Sequence, residues 1–175
     1  MVEIPPDAPL LLYTSVMINF LHINRFPLIC NLGWKTVVTH HALVKEVKTE
    51  EFRRVVDREI AARSIGLVDE PIPVHILASF IEWERRLGKR DATLLANAVA
   101  LGATIATDDR AAIKAGKKVG LLQVETTVAL LRQCIIQEHI TLHQANNSLK
   151  TLARNSFDPR IPCFCQLVGV QCRGH

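Results

Sequence analysis

Asp108 and Asp109 close a short apolar run, Ala103-Thr104-Ile105-Ala106-Thr107, and Arg110 follows them. The run alternates and is β-branched enough to predict a buried strand, and nothing in it needs two acids at its exit. Carboxylates at the carboxyl end of a strand in an α/β sheet face the crevice where such folds place ligands. Adjacent like charges are costly unless a cation, a basic partner or water relieves them. The pair therefore reads either as a metal site or as a solvated turn before a helix. Asp91, after Gly88-Lys89-Arg90, is either a pocket acid or a first-turn carboxylate complementing a helix dipole. Glu46 borders the apolar face of a helix through Leu43 and Val47, where a solvated flank is the plainer reading. Each plain reading is adequate alone. Jointly, Glu46, Asp91, Asp108 and Asp109 fall at element ends or face borders in the order an acidic pocket needs.

The elements that must position these acids can be read from periodicity. Leu10 to Tyr13 predicts a first strand, turning at Thr14-Ser15 into a helix over Val16 to Ile23. Thr36 to Val38 is a short extended segment, with Thr39 as cap for a helix that carries Leu43, Val47 and, after an irregularity, Phe52, Val55, Val56 and Ile60 inward. Ser64 to Val68 is a candidate strand before the Pro71/Pro73 pair. Val74 to Leu87 and Arg90 to Leu101 predict helices ended by Gly88 and Gly102. After the strand to Thr107 come a helix from Arg110 to about Gly116, a strand at Val119 to Leu122, and helices over Thr126 to Gln137 and His143 to Ala153. Strands alternating with helices predict a three-layer α/β/α sandwich around a largely parallel sheet. Residues 1–155 read as one domain and 156–175 as a C-terminal tail.

Composition agrees with one domain: 175 residues at 49% apolar content can bury a proper core. Aromatics are only 5%, so that core must be aliphatic. A net charge of +4 is compatible with a polyanionic partner without demanding one. No targeting segment and no apolar run of about 18 residues is visible, which predicts a cytoplasmic protein without a membrane span.

Other candidate chemistry is weaker. Cys163, Cys165, Cys172 and His175 form a four-ligand set on paper, but one residue between the first pair is short of usual zinc spacing. Free thiols on a loosely held tail are the better reading, with Cys30 and Cys134 as small core residues. His139 and His143 are spaced i, i+4 without the Glu of a zinc helix, and His40 and His41 cannot both face the pocket. A Gly-rich phosphate loop and a nucleophile elbow are both absent from the sequence.

The stretches Leu10-Leu11-Leu12-Tyr13-Thr14-Ser15-Val16-Met17-Ile18-Asn19, the helix carrying Glu46, Leu87-Gly88-Lys89-Arg90-Asp91-Ala92-Thr93-Leu94-Leu95-Ala96-Asn97-Ala98, and Gly102 to Arg110 resemble a PIN domain. That is the fold of small metal-dependent ribonucleases, including bacterial toxin components. The resemblance spans roughly the first three quarters of the chain. It implies Glu46, Asp91 and Asp109 as ligands of Mg²⁺ or Mn²⁺, with Asp108 beside them as a further catalytic acid. Thr14, Ser15 and Arg110 would contact RNA or a metal-bound water. It also implies RNA as substrate, an antitoxin protein as possible partner, and a homodimer.

One family residue is missing. Tyr13 stands where the first strand should end in aspartate. A phenol with a pKa near ~10 is neutral at pH 7, whereas hard cations need anionic oxygens. The resemblance thus implies a metal-dependent endoribonuclease weakened or silenced at Tyr13. A non-catalytic RNA- or protein-binding module is the second expectation. A nucleotide-binding α/β module is a distant third, since no Gly-rich turn supports it.

Overall fold

The computed structural model describes residues 8–39, 47–68, 72–118 and 123–169. Its centre is a five-stranded, all-parallel sheet of β1 (Leu10–Leu12), β2 (Thr36–Thr39), β3 (Gly66–Val68), β4 (Thr104–Ala106) and β5 (Val124–Glu125), in the order β3-β2-β1-β4-β5. β1 is fully buried, as a parallel strand covered on both faces must be. Its neighbours pair in register, with Leu11 opposite Val37 on one side and Ile105 on the other.

Strand alternation divides the core into two layers. Leu10, Leu12, Val38 and Ala106 pack on one side with Val16, Met17 and Phe20 of α1 (Thr14–His22) and Val56 of α3 (Glu50–Ala61). The same layer takes Leu130 and Leu131 of α7 (Thr127–Ile136) and Leu149 and Leu152 of α8 (Leu142–Arg154). Leu11, Val37 and Ile105 point the other way. They meet Leu94, Leu95 and Ala98 of α5 (Lys89–Leu101) and Ala112 and Ala115 of α6 (Arg110–Lys118). A short α2 (Pro27–Cys30) follows α1, and α4 (Val74–Leu87) packs against α5. The expected three-layer α/β/α sandwich is the architecture of the molecule.

Chain order places the ligand crevice. From β1 the chain builds outward to β2 and β3, then returns to the other side of β1 to lay down β4 and β5. The carboxyl ends of β1 and β4 therefore flank the topological switch point, where parallel sheets open a crevice. Tyr13 and Thr107-Asp108-Asp109 stand at those two ends. Gly88, at φ +86 between α4 and α5, permits the reversal that puts Asp91 on the first turn of α5.

Several boundaries differ from those expected. Thr39 ends β2, and Val47 precedes α3. The helix expected over residues 40–46, and with it Glu46, His40 and His41, lies outside the described residues, as does the strand expected at 119–122. The last strand is seen at Val124–Glu125, where the expected closing helix was to begin two residues later. Residues 156–169 are not loose. Phe164 is fully buried and Phe157 and Ile161 pack on the first core layer, while the Phe164 N–H donates to Asn146 Oδ1 at 2.8 Å. Cys172 and His175 lie outside the described residues. Among the described residues, no helix is long and apolar enough to cross a membrane.

Candidate functional site

Tyr13 is the residue from which α1 starts, and its backbone N–H donates to Ala106 of β4. This fixes it over the switch point. Its hydroxyl donates to Asp91 Oδ1 at 2.6 Å, inside a site where Asp91 is only 6% exposed. Arg90 lies over both: its Nε reaches the same Oδ1 at 3.4 Å and its guanidinium carbon sits 5.3 Å from the centre of the Tyr13 ring. A second guanidinium nitrogen stands 3.6 Å from Asp109 Oδ2. Arg90 thus bridges Asp91 and Asp109, the position a cation between two acids would take.

Asp109 has a further task. Its Oδ1 accepts from the Ala111 and Ala112 N–H groups at 2.8 and 3.2 Å, so it caps α6 as it pairs with Arg90. The expected solvated turn before a helix is therefore present at Asp109, alongside its place in the acidic group.

Asp108 turns away from its neighbour. Its Oδ1 accepts from the Thr127 N–H at 2.9 Å, and Oδ2 accepts from the Thr127 hydroxyl and from Asn19 Nδ2 at 3.0 Å. Burial pushes its pKa above the ordinary value, and these hydrogen bonds offset part of that rise. The chain uses Asp108 to tie the end of β4 to α1 and to the start of α7. Two adjacent acids thereby escape mutual repulsion by pointing into different partners.

Ser15 does not cap α1. Its hydroxyl accepts from the Asp108 N–H at 3.0 Å and lies 3.4 Å from the Thr107 hydroxyl, joining the two strand ends. Thr14 is buried, and among the described residues its Oγ1 has no hydrogen-bond partner. Arg110 is the first residue of α6 and lines a cleft beside Asp108. The structure therefore brings Tyr13, Arg90, Asp91 and Asp109 together, sends Asp108 elsewhere, and assigns Ser15 a structural bond. Asn19, Thr127 and Arg90 hold this edge. Asn19 and Arg90 sit within the motif stretches, but no spacing rule marked Arg90 as the pocket's cation or Thr127 as the partner of Asp108.

These donors do not fit a hard divalent ion as arranged. Asp91 is taken by a phenol and a guanidinium, Asp109 by a helix terminus and the same guanidinium, and Asp108 by three donors. Among the described residues, no group of three or more His, Cys, Asp or Glu side chains could hold a metal ion. His139 and His143 are also separately engaged, with the Asn31 carbonyl oxygen at 3.0 Å and Asn147 Nδ2 at 3.0 Å respectively.

Neither the protein-family models, nor the curated proteins, nor the solved structures contain a match to this chain. The site must be read from its own geometry.

Proposed function

We propose that this is a PIN-like protein whose acidic pocket is closed by its own Tyr13 and Arg90, so that it binds RNA or a protein partner instead of cutting RNA. One observation carries the reading: the Tyr13 hydroxyl occupies Asp91, the acid the resemblance makes a metal ligand, at 2.6 Å. A divalent ion would have to displace a hydrogen bond to a charged group, worth about 1.5–3 kcal/mol, together with the Arg90 guanidinium. The parallel sheet and the acids at its switch point support the nuclease-like ancestry. The closure supports loss of the reaction.

Several further expectations belong to the same proposal. Mg²⁺ or Mn²⁺ binding is the property that reopening the pocket would bring back. An antitoxin-like partner rests on the resemblance alone. Cytoplasmic residence is supported by the free thiols of Cys30, Cys134 and Cys165. Homodimerisation is supported by α4, where Val74, Leu77 and Ile81 follow i, i+3, i+7 and are exposed by 87%, 45% and 44%.

The test is a Mn²⁺-dependent cleavage assay on single-stranded RNA with the wild type and Tyr13→Asp. The reading expects little or no wild-type cleavage and activity in the variant raised by orders of magnitude. Robust wild-type cleavage dependent on Asp91 would overturn it.

A further inference from the structure

A cleft of about 630 Å³ opens beside the acidic group, between α6, the start of α7 and the segment 156–160. Its volume lies in the range of small-molecule sites. Arg110, Lys114 and Lys117 line one wall at i, i+4, i+7, hence on one face of α6 and spread over about 10 Å of its axis. Arg160, from the segment 156–160, also lines the cleft. All four are exposed, and none forms an ion pair with any described residue.

Elsewhere, several helical arginines have an acid one turn away: Arg53 pairs with Asp57, Arg54 with Glu50 and Arg86 with Glu82. The α6 sequence Arg-Ala-Ala-Ile-Lys-Ala-Gly-Lys-Lys has no acid to do the same. The two acids of the cleft are already engaged. Asp108 is held by Thr127 and Asn19, and Asp158 Oδ1 accepts the Arg160 backbone N–H at 3.1 Å. Four cations thus face one concave space whose carboxylates have other partners.

Beside Thr126 and Ser156, the rest of the lining is apolar. Ile113, Val128 and Phe157 contribute to it, and Phe157 is anchored through its N–H to the Leu152 carbonyl oxygen at 3.1 Å. Ser156 and Arg160 both adopt left-handed backbone, at φ 64 and 55, so the loop bearing Phe157 is turned at both ends. A charged stripe beside a half-buried aromatic suits a ligand with several phosphates and one flat apolar ring. A single phosphate would span about one turn of the stripe and leave the aromatic wall unused.

We propose that this cleft binds a nucleotide carrying two or more phosphates, the phosphates along Arg110, Lys114 and Lys117, the base on the Phe157 side, and Arg160 as a fourth cation. This does not depend on the closed acidic pocket. Lysines act here as point charges without a Gly-rich backbone cradle, so affinity should be micromolar and weaken with salt.

Calorimetric titration of the full chain with ATP, ADP, AMP and adenosine tests the proposal, alongside a single-stranded RNA oligonucleotide and inorganic triphosphate. ATP and ADP should bind, AMP about tenfold more weakly, and adenosine not measurably. The exposed charge reversals Lys114→Glu/Lys117→Glu and Arg160→Glu should each weaken ATP by about tenfold or more, with the circular dichroism spectrum unchanged. Four results would overturn the proposal: no ATP binding at millimolar concentration, ATP affinity untouched by both reversals, inorganic triphosphate binding as tightly as ATP, or binding of RNA with none of ATP.

Discussion

The Tyr13 hydroxyl donates to Asp91 Oδ1 at 2.6 Å across 78 residues of sequence, joining the end of β1 to the first turn of α5. Tyr13 and Asp91 are both buried, so the bond is shielded, and Asp91 would lose a donor that water could not readily replace. Tyr13→Phe should destabilise the fold by about 1–3 kcal/mol. Arg90 is half exposed, and solvent screens its ion pairs, so Arg90→Gln should cost less than about 1 kcal/mol. Urea unfolding of the two variants checks the ranking; an Arg90 effect larger than the Tyr13 effect would refute it.

Two acids carry a pH signature. Burial raises the folded-state pKa of Asp108 above 3.8 and that of Glu125 above 4.5. The folded protein therefore holds these protons to higher pH than the unfolded chain does. Their contribution favours folding below the unfolded values and is lost as pH rises through the folded ones. Glu125 has desolvation as its only cause, with no offsetting hydrogen bond. Glu125→Gln should raise the melting temperature at pH 7 and leave it unchanged near pH 3. A variant equally or less stable at pH 7 would contradict this.

Which parts of this arrangement could be read from sequence follows from the range of the forces involved. β1, α4, α5 and β4 were legible because local periodicity and the glycines at 88 and 102 declare them. The acids at the switch point were legible because charges at strand and helix ends break an apolar pattern. The partners were not. Asp108 and Asp109 are identical as residues, and only the approach of Thr127, nineteen positions on, sends one away from the other. Arg90 reads as part of a basic pair with Lys89 until α5 is docked and places it over Tyr13. The packing of Phe164 against the core was hidden by a tail of cysteines and prolines, whose composition resembles a loose end.

The thiols divide by environment. Burial pushes both Cys30 and Cys134 up to about 11, with Glu59 adding to the rise at Cys30. At pH 8 only about one molecule in a thousand would carry either thiolate, and the thiolate is the reactive form. In a timed reaction with an aromatic disulfide reagent, these two should stay unmodified until denaturant is added. Rapid modification of Cys134 in the native protein would contradict its placement.

The exposed stripe on α4 predicts the assembly. Wild-type chain at tens of micromolar should sediment at twice 19.5 kDa, and Leu77→Asp/Ile81→Asp should sediment as a folded monomer. A wild-type monomer would remove the dimer, and a dimeric double variant would place the contact elsewhere.

The closed pocket itself is tested most directly by calorimetric titration of Mn²⁺ into three proteins: the wild type, Tyr13→Asp and Tyr13→Asp/Asp91→Asn. Replacing the phenol with a carboxylate removes the donor from Asp91 and adds an anionic oxygen at the switch point. The ring leaves a cavity that costs a few kcal/mol, up to about 5 for truncation of a large aromatic, so the fold is checked by thermal melting in parallel. The closed-pocket account predicts weak or undetectable Mn²⁺ binding by the wild type, affinity at least about tenfold higher in Tyr13→Asp, and loss of that gain in the double variant. Wild-type binding as tight as that of Tyr13→Asp would contradict it.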